Sequence, residues 1–162
     1  MSASPTTSDP LTERDYPDAQ RRGEWTLAAQ GPEFAVTIGV HPILTQELQR
    51  RGDLPPKPVH GMALVDTGAS QTLVHSAVIE KLGIPPMGVQ RLRTFLAGDA
   101  VALSTHFVSL RIGDEKPWDG VVCAAPLAVQ RPKTIALIGR DLLREASFHY
   151  DGAAGRITIS LR

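Results

Sequence analysis

Apolar and polar positions alternate along Phe34-Ala35-Val36-Thr37-Ile38-Gly39-Val40, the period of a half-buried strand. Residues 1 to about 30 carry little period and are rich in Ser, Thr, Pro, Asp and Arg. They read as a flexible leader with order expected only near Trp25 and Leu27, and the folded domain is expected over 31–162. After the first strand the period becomes helical: Pro42 opens Ile43 to Arg51, basic residues close it, and Gly52 stops it. Leu54-Pro55-Pro56-Lys57-Pro58 reads as an extended connector. Met62-Ala63-Leu64-Val65 is a short apolar strand that runs into Asp66-Thr67-Gly68-Ala69-Ser70. Ser76 is placed as the cap of a brief helix over Ala77 to Leu82, closed by Gly83. From Gln90 to Ile112 two extended runs flank Ala97-Gly98-Asp99, a hairpin signal. Val121 to Ala124 is a buried strand, and Thr134 to Ile138 is another, breaking at Gly139 into a helix from Arg140 to about Glu145. Two last strands, Phe148 to Tyr150 and Arg156 to Leu161, are joined by a Gly-rich turn. Short strands this closely spaced predict an all-β class, a small barrel or sandwich with one or two short helices.

Composition narrows the partners. The 162 residues, 42% of them hydrophobic, suffice for one domain with a real core. Lys plus Arg and Asp plus Glu stand equal at 17 each, so no net charge draws the chain to nucleic acid or to an anionic membrane, and neither partner is expected. The single cysteine, Cys123, cannot form an intrachain disulfide. The N-terminal residues lack a basic start followed by an apolar run, and no apolar stretch approaches a membrane span. A cytoplasmic protein is expected.

The segment that carries chemistry is Ala63 to Ser70. A carboxylate directly after an apolar strand sits where desolvation disfavours charge, so Asp66 needs hydrogen bonds or a partner to share a proton with. Thr67 supplies a hydroxyl beside it, and Gly68 permits a tight turn and a close approach of backbone. Asp-Thr-Gly alone fits an ordinary strand-ending turn better than a catalytic loop, and it is a second element that reverses the balance. The second element, about seventy residues on, is Leu137-Ile138-Gly139-Arg140-Asp141-Leu142-Leu143, an apolar strand that ends in Gly and enters a helix. Other chemistries fit less well. Gly68-Ala69-Ser70-Gln71-Thr72 lacks the final Gly of a serine nucleophile elbow. His41, His60, His75, His106 and His149 have no metal-ligand spacing, so no metal or cofactor is expected. Cys123, in an apolar strand, reads as a small core residue, and Trp118 and Asp119 are placed beside a turn.

With both motifs in this order, the chain resembles the retropepsin family over roughly residues 34–162. The resemblance implies a small closed β-barrel of the acid-protease type and an aspartic endopeptidase activity. By it, Asp66 is the catalytic aspartate, Thr67 ties two active-site loops together across a dimer axis, and Arg140 braces the base of the site. Gly68 and Ala69 lie along the substrate backbone, beside Ser70. Leu64, Ile135 and Leu137 line subsites, as does the loop from Pro126 to Val129. A flap is expected from about Arg93 to Val101, with Ala97 and Gly98 near its tip. The retroviral enzymes usually carry an acid where this chain has Ser70, which leaves Arg140 without that partner. The helix over Ile43 to Arg51 is outside the retroviral pattern.

Peptide hydrolysis of this kind needs two carboxylates that share one proton; aspartic proteases are the standing example of that rule. The chain holds one Asp-Thr-Gly, so the second aspartate is expected from an identical chain, in a symmetric homodimer acting on a peptide or protein substrate. The C-terminal strand is expected at that interface, through Ile157, Ile159 and Leu161. The rival reading is a domain of the same fold that binds peptides or merely dimerises.

Overall fold

A computed structural model of the chain describes residues 13–15, 27–93, 100–127 and 133–162. In order these form β1 (Glu13–Asp15), α1 (Leu27–Gln30), β2 (Glu33–Val40), α2 (Pro42–Arg50), β3 (Val59–Val65), β4 (Leu73–His75) and α3 (Ser76–Leu82). There follow β5 (Gly88–Arg93), β6 (Ala100–Ile112), β7 (Trp118–Ala125), β8 (Thr134–Ile138), α4 (Arg140–Leu143), β9 (Ala146–Asp151) and β10 (Arg156–Leu161).

Alternation along β2 turns Phe34, Val36 and Ile38 inward, and all three are buried. The same period on β3, β7 and β8 buries Ala63, Val65, Val122, Ala136 and Ile138. These inward rows face one another because the sheet closes. Its order is β2-β3-β8-β4-β7-β6, and β6 returns to β2 through pairs such as Ile38↔Leu110. Closure leaves six strands without an edge, which is the small barrel expected. β5 adds outside this ring, paired with β6 from Gly88↔Thr105 to Arg93↔Ala100. The described residues include no helix long and apolar enough to cross a membrane.

One side of the barrel is packed by α3, through Val78, Ile79 and Leu82. The cap of α3 is His75, whose Nδ1 accepts the N–H of Ala77, not Ser76, which is the first helical residue. Gly83 ends α3 in the left-handed region, φ 59°, where a side chain is disfavoured. A second sheet, β1-β10-β9, lies beyond α4. Its middle strand corrects the expected interface: Ile157 and Ile159 are buried in the core of their own chain, and β1 covers the β10 edge at Arg156–Thr158. Leu27 of α1 also joins the core.

Two further elements differ from the sequence reading. β4 has three residues, too few to show a period, yet it joins β8 to β7. Trp118 and Asp119 belong to β7, where Trp118 is buried over Gly120; a Cβ at that glycine would meet the indole ring at 2.2 Å.

Candidate active site

β3 and β8 run parallel, pairing Leu64↔Leu137 and Val65↔Ile138. The ladder continues one residue past β3, because Asp66 N–H donates to the Ile138 carbonyl at 2.9 Å. The chain then turns on the Asp66 side chain itself. Its Oδ1 accepts Gly68 N–H at 2.9 Å and Ala69 N–H at 3.3 Å, while Ala69 N–H also reaches the Asp66 carbonyl at 3.1 Å. A side chain at Gly68 would press on that oxygen at 3.1 Å. Oδ2 makes no hydrogen bond among the described residues. Asp66 and Ala69 are half-buried, and Thr67, Gly68 and Ser70 are exposed.

The first turn of α4 holds this loop from behind. Arg140 Nη1 donates to the carbonyls of Thr67 and Gly68, both at 2.8 Å, and Arg140 N–H donates to the Ala69 carbonyl at 2.9 Å. The absence of an acid at Ser70 therefore does not leave Arg140 idle: it braces loop backbone instead of a carboxylate. Three successive carbonyls of the loop are thus held by one residue, two by its guanidinium and one by its backbone N–H.

Sequence reasoning missed two residues here. Asp141 Oδ2 accepts Thr72 N–H at 2.9 Å, and its Oδ1 accepts the Thr72 hydroxyl at 2.7 Å and Leu142 N–H at 2.9 Å. Thr72 Oγ1 in turn accepts Gly139 N–H at 3.1 Å. Thr72 is wholly buried, so its polar atoms must be satisfied inside the protein. The available signal was an acid in the first turn of a helix, where it favours the free N–H groups.

The residues expected to line subsites fall on the face opposite the core. Leu64 and Leu137 are direct partners across β3 and β8, and both are half-buried, as is Ile135. Ile135 lies against Gly61, where a Cβ would come within 2.7 Å of its side chain. The strands β5 and β6 form the two arms of the expected flap, but Ala97 and Gly98 at its tip lie outside the described residues, as does Val129. Of the histidines, His106 is buried and its ring nitrogens meet the Ile84 carbonyl and Ser104 Oγ, while His41 and His75 cap helices. Burial pushes the Cys123 thiol above its ordinary range, and the Asp141 carboxylate adds to the effect, so it stays protonated at neutral pH.

The chain belongs to the aspartyl protease family, whose profile matches residues 52–142, more than half of its length. That span takes in both the Asp66 loop and the first turn of α4. No curated protein sequence matches the chain. Similar solved structures include a retropepsin-like aspartic protease from Rickettsia conorii, at 20% identity and a TM-score of 0.46 over 81% of this chain and 85% of that one. EIAV protease complexed with the inhibitor HBY-793 is similar at 17% identity and a TM-score of 0.42, over 70% of this chain and 85% of that one. The foamy viral protease-reverse transcriptase in complex with an RNA/DNA hybrid is similar at 16% identity and a TM-score of 0.41 over 52% of this chain. The chain spans 10% of the length of that viral protein.

Proposed function

We propose that the chain is an aspartic endopeptidase that works as a symmetric homodimer, with two Asp66 carboxylates sharing one proton across the axis. The observation that carries this reading is the state of Asp66: one carboxylate oxygen is tied to its own loop, and the other has no partner among the described residues. A braced carboxylate with one oxygen to offer is half of the required machinery, and each chain has one Asp-Thr-Gly. In the dimer one carboxylate takes a proton from water as the water attacks the scissile carbonyl. The other, protonated, donates to the carbonyl oxygen as the tetrahedral centre forms. Two close carboxylates titrate as a unit, so the activity profile is a bell on the acid side of neutral.

Thr67, exposed beside Asp66, meets its twin at the axis, and Arg140 keeps both loops in register. Gly68, Ala69 and Ser70 run along the substrate backbone. Leu64, Ile135 and Leu137 take apolar substrate side chains, and the flap with Ala97 and Gly98 closes over them. The peptidase domain is residues 31–162, with Leu27 and the strand Glu13–Asp15 of the preceding segment packed onto it.

The test is cleavage of a denatured protein at mildly acid pH by wild type and by Asp66→Asn. Loss of all cleavage in the variant, with an unchanged fold by circular dichroism, is expected. Identical fragments from both proteins would refute the assignment.

A further inference from the structure

The register of the barrel draws one row across the face opposite the core. Leu64 pairs with Leu137, Leu137 with Leu73, Leu73 with Cys123, and Cys123 with Thr105. Directly opposed residues on paired strands share a face, so the surface holding Leu64 and Leu137 continues through Leu73 to Cys123. Burial agrees. Leu64, Leu137 and Leu73 are half-buried, whereas their neighbours Ala63, Ala136 and Val74 are fully buried in the core. Cys123 is buried as well, yet it stands outside the core cluster to which its neighbour Val122 belongs. Something on the outer face covers it.

That cover includes Gln90, on the strand β5 that forms the outer arm of the hairpin. Its Oε1 accepts the Cys123 S–H at 3.8 Å, a weak bond. The contact requires the Gln90 side chain to reach back over β6 to β7. With Oε1 turned to the thiol, the two N–H donors of Nε2 face away from Cys123, and Nε2 makes no hydrogen bond among the described residues. The raised thiol pKa keeps Cys123 protonated and so keeps this amide orientation.

We infer that Gln90 is a specificity-determining residue of the cleft: at the subsite floored by Leu73, where Gln90 itself covers Cys123, it selects a substrate side chain with a hydrogen-bond acceptor on an aliphatic stem, Gln or Glu. The stem lies on the apolar row, and the acceptor receives the Nε2–H donors. An isosteric Leu or Met fills the same volume but leaves those donors dry and unpaired, which is where a polar site gains its discrimination. The inference rests on the cleft being the substrate site proposed above.

The experiment profiles a randomised peptide library in two ways: cleavage by the active protein, and retention on the Asp66→Asn protein, which binds without turnover. Both are expected to show, at one subsite, a preference of about threefold to tenfold for Gln or Glu over Met or Leu. Gln90→Leu is expected to reverse that preference, and Gln90→Glu, which has acceptors and no donors, to move it toward Lys and Arg. The other subsites keep their preferences in both variants. A wild-type profile with the Gln or Glu preference that Gln90→Leu leaves unaltered would overturn the inference, as would a profile without that preference. Retention with the preference but no cleavage would keep the inference and dismiss the peptidase.

Discussion

Thr72 is a buried polar residue that uses its polar atoms on both sides. Its hydroxyl donates to Asp141 and accepts from Gly139, and its amide donates to Asp141. Its carbonyl accepts Cys123 N–H at 3.0 Å, which ties the segment to β7. The loop that begins at Asp66 therefore ends at a fixed point, and its first and last residues are both hydrogen-bonded to the segment 138–142. Removing one oxygen here leaves two partners short. Thr72→Val keeps the shape and is expected to cost about 1–3 kcal/mol, because Gly139 N–H becomes a buried unpaired donor. Thr72→Ser keeps both bonds and should cost less than Val. Denaturant melts of the two variants measure this directly; equal losses would mean that the hydroxyl contributes nothing.

The elements that place the site are the ends of two parallel strands and the start of one short helix. Gly139 joins β8 to α4, and there its lack of a side chain is required: a Cβ would lie 2.4 Å from the Gln71 carbonyl carbon and 2.8 Å from Thr72 N. Both are backbone atoms, which cannot swing aside. Gly139→Ala is expected to destabilise the protein by about 1–3 kcal/mol, and to speed amide exchange at Gly68 and Ala69 more than in β2. Uniform exchange changes would contradict the close fit of this junction. Much of this was legible in the sequence. The strand ending at Val65, the turn at Asp66 and the Ile138-Gly139-Arg140 break are written in local pattern, and so is Gly83. The unread parts depend on contacts distant in sequence. β4 is too short to carry a period, and its place between β8 and β7 comes from pairing. The Thr72–Asp141 bonds join residues 69 positions apart, which no local signal encodes. The alternation Ile157-Ile159-Leu161 marks one face of β10, but a pattern cannot say whether that face meets its own core or a second chain.

At the scale of the whole molecule the barrel is closed, so its strands offer no edges for assembly, and only β5 and the second sheet have strands with one side open among the described residues. β10 is flanked by β9 along its length and by β1 over Glu13–Asp15. In the proposed homodimer, contact then falls to surfaces around the Asp66 loop, where Thr67, Gly68 and Ser70 are exposed, together with what the second sheet presents. The central claim is that one site is built from two chains. Mixing wild-type protein with Asp66→Asn protein in varied proportion, after unfolding and refolding the two together, tests it most directly. If both Asp66 carboxylates are needed, activity falls as the square of the wild-type fraction; activity falling in simple proportion to that fraction would contradict it.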